Sequence, residues 1–256
     1  MFNPLISISY LHQDIVLHIL PIKIFFLHYI LKVLTKNEKV IQMLANKNEE
    51  RRGKGRPRGF DRGTALNAAL RLFWRKGYEP TSVSELCDVM EIRPPSLYAT
   101  FGNKAALFLE AVRHYEKTYW EEPATRFMEE EDIYKALGDY FGEAAEILLS
   151  PATPCGCMVV LAAVNISEDE QKIISAIRDM RVATKKMFAE RLRKAIMDGQ
   201  IPADTDVPAL AGALNTLLEG LSLQARDGLF LSELKAIASH AVKLLPPPRE
   251  ASIQNG

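Results

Sequence analysis

The sequence predicts an all-α protein in two parts, an N-terminal helix-turn-helix domain and a larger helical body. Three observations predict it. Residues 82–104, S-V-S-E-L-C-D-V-M-E-I-R-P-P-S-L-Y-A-T-F-G-N-K, read as two short helices around a tight turn, followed by the start of a third. Past Lys104 apolar residues recur at helical spacing, and no run alternates with the period of two that a half-buried strand needs. Charge is segregated: residues 47–76 hold ten Lys and Arg against three Asp and Glu, whereas residues 121–150 hold two against nine. A basic front end on an acidic body suits a protein that sets one end on phosphate. The chain of 256 residues, 48% hydrophobic, is long enough for one large core or two small ones. Its overall balance of 32 basic and 32 acidic residues is uninformative about partners; the distribution carries the signal.

Residues 1–46 form a hydrophobic head. Ile15–Leu34 has about the length of a membrane span, but His18, Pro21, Lys23, His28 and Lys32 interrupt it. A charge at the centre of a span costs roughly 2.5–3.5 kcal/mol. Neither a basic leader nor a small-residue cleavage site flanks it, so it is a poor signal peptide. The expectation is a natural start at Met43 with a head that is non-native or disordered, and no membrane partner. A tethered regulator anchored by the head, or an extra helix on the body, are the alternatives.

Residues 47–60 are a basic arm without apolar periodicity, expected to be disordered when free. That leaves Arg56 and Arg58 available to follow phosphates or enter a minor groove. From Asp61 the helical period begins, with Leu66, Ala69, Leu70 and Phe73 on one face. Asp61 at its start and Arg75-Lys76 at its end suit the dipole, and Gly77 reads as a left-handed C-cap. In the next helix Val83, Leu86, Cys87 and Met90 share a face, and Ser82 with Glu85 has capping-box spacing. The pattern lapses at Glu91-Ile92-Arg93. Pro94 and Pro95 then suit a first helical turn, where no amide donor is needed. Leu97 and Phe101 face inward, leaving Ser96, Tyr98, Ala99 and Thr100 to point elsewhere. A helix this short is stable only on its neighbours, and its polar side can face a partner, as the second helix of a helix-turn-helix faces the major groove.

Residues 56–115 resemble the DNA-binding domain of the TetR/AcrR family of bacterial transcriptional regulators. The segments that carry the resemblance are G-R-P-R, A-L-R-L-F-W-R-K-G-Y, T-S-V-S-E-L, S-L-Y-A-T-F and N-K-A-A-L-F, in that order. No one of them is specific, but the ordered set is. The resemblance implies that Arg56, Arg58, Ser82, Arg93, Pro94, Pro95, Ser96, Tyr98, Ala99, Thr100 and Lys104 form the DNA-binding surface. Tyr98 would touch a phosphate or a thymine methyl, and Lys104 would grip a phosphate at the start of the fourth helix, an anion-binding position in its own right. Ser96 and Thr100 are small enough to reach base edges. Two positions depart from the family pattern. Glu91 stands where Gly is common, which costs about 1–2 kcal/mol if φ is positive. Arg93 stands where a small polar cap is common, and it offers donors only.

The body, residues 105–245, reads as further helices. The fourth helix runs to Trp120 and is broken at Glu121-Glu122-Pro123. Others follow at 132–149, 157–164, from a cap at Ser167–Glu170 to about Asp198, at 206–226, and at 232–245, with a disordered tail over 246–256. The family resemblance implies a homodimer built on the last two long helices, through the small apolar faces of Ala209–Leu223 and Leu234–Leu245, and a ligand cavity in the body. Candidate cavity residues are Phe141, Leu148, Met158, Met180, Met187 and Leu217, equally readable as plain core. Cys155-Gly156-Cys157-Met158 is chemically unusual. It reads as small residues tucked at a helix start, as a redox or electrophile sensor, or as a soft-metal clamp; Cys155 and Cys157 are kept as candidate pocket residues. Three cysteines make no disulfide framework and point to a reducing compartment such as the cytoplasm. Five histidines, three of them in the head, leave little for a zinc or general-base site. No convergent catalytic set is present, so no enzyme, metal or cofactor is expected. The function expected is a repressor, released from a palindromic operator on double-stranded DNA by an unknown small-molecule or thiol-reactive effector; an activator of the same fold is the alternative.

Overall fold

A computed structural model describes residues 60–247. The head, Arg56 and Arg58 of the arm, and the tail beyond Pro247 lie outside the described residues, which are helical with no strand among them.

Helix α1 spans Arg62–Lys76. The Asp61 carboxylate accepts from the Thr64 amide at 2.6 Å, satisfying one of the amides a helix start leaves open. Gly77 closes the helix with φ +84° but an extended ψ of 174°, so the expected left-handed cap is only half met: φ is positive, ψ is not that of αL. Helix α2, Val83–Met90, starts in the expected capping box, Ser82 Oγ accepting from the Glu85 amide and the Glu85 carboxylate accepting from the Ser82 amide. Helix α3, Pro94–Phe101, follows with the two prolines in its first turn. Helix α4, Lys104–Tyr119, is capped by Asn103, whose Oδ1 accepts from the Ala106 amide at 2.8 Å.

The chain does not stop at Glu121-Glu122-Pro123 as expected. Trp120 ends α4 and at once precedes α5, Glu121–Glu129. Pro123 sits in the first turn, where its missing N–H costs nothing, and the two glutamates face the positive end of the helix dipole. Helices α6, Ile133–Leu148, and α7, Met158–Leu161, lie inside their expected spans. Helix α8, Gln171–Met197, has its N-cap at Glu170, the last residue of the expected cap segment, but Glu170 makes no capping bond; its carboxylate instead accepts from Tyr78 Oη at 2.6 Å. Helix α9 is Val207–Arg226, and α10 is Leu231–Ala238, continued as a 3₁₀ turn over Ser239–Leu244. The last helix begins one residue before the expected Ser232, with Glu233 reaching back to the Phe230 amide at 3.1 Å.

The core is continuous through these helices. An aromatic chain runs through it: Trp74 meets Tyr115 edge-on at 4.7 Å, and Phe127, Tyr140, Phe141 and Phe188 pack on one another in the body. Arg191 is fully buried. Its guanidinium donates to the carbonyls of Phe127, Glu130 and Glu131 and so caps the end of α5, while Nη1 has no partner. Helix α4 packs on α1 in the N-terminal domain and on α5, α7 and α8 in the body, so it is the rod that joins the two.

Candidate nucleic-acid interface and effector core

Helix α3 is held from inside by Leu97 and Phe101, both buried. What remains faces out: Arg93, Pro94, Pro95, Tyr98 and Ala99 are exposed and Ser96 and Thr100 are half-buried. Tyr98 leaves 49% of its surface in solvent, a large aromatic exposure that no contact within the described residues explains. Arg93 occupies the N-cap of α3 and makes no capping bond there, as its lack of an acceptor requires; its guanidinium is therefore available at the helix N-terminus. Glu91 adopts φ 54°, ψ 39°, the only non-glycine with positive φ among the described residues. The turn keeps the left-handed geometry despite its side chain.

Two expected contacts are partly committed to the protein itself. The Ser82 hydroxyl is spent on the capping box with Glu85. Lys104 lies over the Tyr78 ring at 4.2 Å and donates to the Glu79 carbonyl at 3.3 Å; partial burial lowers its pKa. Its ammonium is thus pre-positioned at the start of α4 rather than swinging free. Arg62, not singled out from the sequence, pairs with Glu110 at 2.8 Å and lies over the Phe101 ring at 4.8 Å, bracing the inner side of α3.

In the body, Phe141, Leu148 and Met158 are fully buried, Met187 is nearly so, and Met180 and Leu217 are partly buried against the core. A surface groove of about 950 Å³ lies between α5 and α6, edged by Lys235 and Ser239, and none of the candidate cavity residues lines it. The two cysteines part ways. Cys155 is exposed. Cys157 turns inward, where its sulfur accepts from Tyr115 Oη and from the amides at the start of α7, and burial next to Glu116 pushes its pKa up to about 11. A soft-metal clamp by both thiols does not fit this divergence.

Four residues around Cys157 went unnoticed in the sequence: Tyr115, Glu116, Trp120 and Tyr140. Trp120 Nε1 donates to Tyr115 Oη at 2.7 Å, and Tyr115 donates on to Cys157. Burial pushes Glu116 up to about 7. The signal was available: Glu116 falls in phase with Phe108 and Val112 on the inward face of α4, a carboxylate where an apolar residue belongs.

The segment around Gly156 ties the two parts together. Trp74 Nε1 donates to the Gly156 carbonyl at 2.8 Å, the Tyr78 amide to the Ala162 carbonyl at 2.8 Å, and Arg226 to the Trp74 carbonyl at 3.0 Å. Ser222 Oγ accepts from the Cys157 amide at 2.7 Å. Gly156 has φ +81°, and a Cβ there would meet Leu161 Cδ1 at 2.4 Å and the Ser222 carbonyl oxygen at 2.8 Å.

On α9 the inward residues Ala211, Leu214, Leu218, Leu221 and Ala225 are buried in the chain's own core, whereas Ala209, Ala213, Thr216, Gly220 and Leu223 form an exposed stripe of mostly small residues. The other face expected to pair, Leu234–Leu245, is divided in the same way: Leu234, Ala238, Ala241 and Leu245 are buried, with α10 and the 3₁₀ turn packed on α6, whereas Ala236, Ile237 and Leu244 stay exposed.

Comparison with known proteins agrees with this architecture. Residues 65–111 match the profile described as bacterial regulatory proteins, tetR family, and residues 135–227 match a tetracyclin repressor-like C-terminal domain. The chain is 34% identical over 197 residues to the HTH-type transcriptional repressor ComR of Escherichia coli K12, covering 77% of this chain and 94% of the relative. It is 32% identical to the repressor BdcR of the same organism, covering 73% and 90%. Among solved structures it resembles a cysteine-substituted TetR family regulator, CifR, complexed with 26-base-pair operator DNA, at 38% identity and a TM-score of 0.72, covering 75% of this chain and all of that one.

Proposed function

The chain belongs to the tetR family of bacterial regulatory proteins and is a DNA-binding transcriptional regulator, and we propose that it is a repressor whose two copies set α3 into successive major grooves of a palindromic operator. The observation that carries the reading is α3 itself. Its apolar residues are used up in holding it, and its exposed side presents Arg93, Pro94, Pro95, Tyr98 and Ala99, with Ser96 and Thr100 half-exposed beside them. Tyr98 and Lys104 fix register on phosphate, and Ser96, Thr100 and Arg93 read base edges. The arm residues Arg56 and Arg58 add phosphate or minor-groove contacts. A second copy pairs through the exposed stripe of α9, and two-fold symmetry makes the operator an inverted repeat.

Release follows from α4. This rod carries Lys104 at its DNA end and Glu116 next to Cys157 at its body end. An effector in the body, a small molecule or a thiol-reactive compound at Cys157, works by binding a tilted α4 better than the DNA-competent one; the coupling is its differential affinity for the two states. The test is titration of the full chain onto operator DNA selected from genomic fragments, across a salt series. A steep salt dependence and about tenfold or greater loss for Arg93→Ala with Tyr98→Ala are expected. Salt-insensitive binding, or no preference for inverted repeats, overturns the reading.

A further inference from the structure

A second connection between the body and the N-terminal domain bypasses the length of α4. It runs through Tyr78 and Glu79, in the turn between α1 and α2. The Tyr78 amide donates to the Ala162 carbonyl at 2.8 Å, and the Tyr78 hydroxyl donates to the Glu170 carboxylate at 2.6 Å. The Glu79 carboxylate accepts from the Ser167 amide at 2.6 Å, while the Glu79 carbonyl accepts from the Lys104 ammonium at 3.3 Å. That ammonium also lies over the Tyr78 ring, 4.2 Å from its centre, a geometry in which the ring face attracts a cation. One stretch of the body, residues 162–170 between α7 and α8, thus grips both of the residues that hold Lys104.

The stretch is fixed at its ends and open in its middle. Met158, which starts α7, and Ile173, in the first turn of α8, are fully buried in the body. Arg181 on α8 donates to the carbonyls of Val159 and Val160 and so ties α7 to α8. Between these anchors Val164, Asn165, Ser167, Glu168 and Asp169 are exposed. A change of packing around Met158 or Ile173 is therefore passed on to Ser167 and Glu170. At the other end the Tyr78 ring is 3% exposed and packs on Phe108 at 5.1 Å. A pull at its hydroxyl is carried into the ring, and from there to the ammonium above it. Partial burial lowers the Lys104 pKa, and the Glu79 and Glu170 carboxylates oppose this by favouring the charged form.

We propose that residues 162–170 are a clasp on the DNA-contacting lysine, with Tyr78 and Glu170 as positioning residues: the clasp holds the Lys104 ammonium at the start of α4, and loss of the Tyr78–Glu170 bond lets it leave that place. The proposal rests on the repressor reading, in which Lys104 meets phosphate. It gives the body a direct hold on that contact, separate from any tilt of α4, and the coupling is the difference in clasp bonding between the two states.

The test is operator titration across a salt series with the full chain and its Tyr78→Phe, Glu170→Ala and Glu170→Gln variants, each with Lys104 present and with Lys104→Ala. Tyr78→Phe keeps the ring beneath the ammonium and removes only the hydroxyl. Tyr78→Phe and Glu170→Ala should each lower operator affinity about fivefold, and together no more than either alone. Glu170→Gln keeps an acceptor for the hydroxyl and should stay within about twofold of the parent. Lys104→Ala should lower the slope of log affinity against log salt by about one for each copy, and Tyr78→Phe should move the slope part of the way. With Lys104→Ala in place, Tyr78→Phe should cost nothing further. A loss from Tyr78→Phe that is the same with and without Lys104, or that leaves the salt slope at the parent value, assigns Tyr78 to packing alone and overturns the clasp. Unchanged operator binding by Tyr78→Phe and Glu170→Ala overturns it as well, while the parent's own preference for an inverted repeat leaves the repressor reading standing. A parent chain with no such preference removes the repressor reading, and the clasp with it.

Discussion

At the scale of single residues, strain and burial are concentrated at a few positions. Glu91 pays a left-handed conformation that glycine adopts freely. Relief of about 1 kcal/mol of that strain is offset in part by the entropy glycine adds to the unfolded chain, so Glu91→Gly should raise stability by a few tenths to about 1 kcal/mol in chemical denaturation. Glu116 gives a sharper test. Its pKa is raised from 4.5 to about 7 by burial, so between those values the folded state holds more protons than the unfolded one. Stability contributed at this position is therefore greatest below pH 4.5, falls as pH rises, and the full cost, on the order of 3 kcal/mol, is present above pH 7. Glu116→Gln should raise the melting temperature clearly at pH 8 and little at pH 5; the same gain at both pH values would contradict the burial argument.

At the scale of elements, caps and close approaches decide. Asn103 satisfies the first turn of α4, and Asn103→Ala should cost about 1 kcal/mol by denaturant titration. Gly156→Ala is a different matter: the positive φ, the Leu161 side chain and the Ser222 carbonyl leave no room for a methyl. It should destabilise by more than about 2 kcal/mol, and a variant that still folds should show weakened attachment of the N-terminal domain. These two cases also mark what was legible in the sequence. Helices α1 to α4 were readable because amphipathic spacing and side-chain caps agree there, as Asp61, Ser82–Glu85 and the Pro94-Pro95 start show. Helix α5 was not, because Pro123 and two glutamates read equally as a break and as a first turn, and only the packing of Phe127 against Tyr140 and Phe188 selects the second. The start of α8 was legible in position but not in chemistry: the N-cap falls at Glu170 as Ser167–Glu170 suggests, but its carboxylate is drawn to Tyr78, a residue ninety-two positions away, instead of capping. The surface of α3 was legible, whereas the inner cluster was not, since a pattern search treats Glu116 as a solvated charge.

At the scale of the whole molecule, the proposed function puts two copies on one operator. The stripe Ala209, Ala213, Thr216, Gly220 and Leu223 lies exposed along α9, and small residues let two helices approach closely. Gly220→Arg should leave the fold intact and shift the protein from dimer to monomer in light scattering, with a loss of operator affinity of about a hundredfold or more, because one half-site supplies only part of the contacts. Unchanged association would place the interface elsewhere.

The bonds from Trp74 to Gly156, from Tyr78 to Ala162 and from Arg226 back to Trp74 cross between sequence-distant segments at the base of the N-terminal domain. With so many ties, the reading head cannot melt ahead of the body. Heating should therefore give one calorimetric peak rather than two, and anything that tightens the interior should protect the head's amides from deuterium exchange, even at Tyr98, which it never touches.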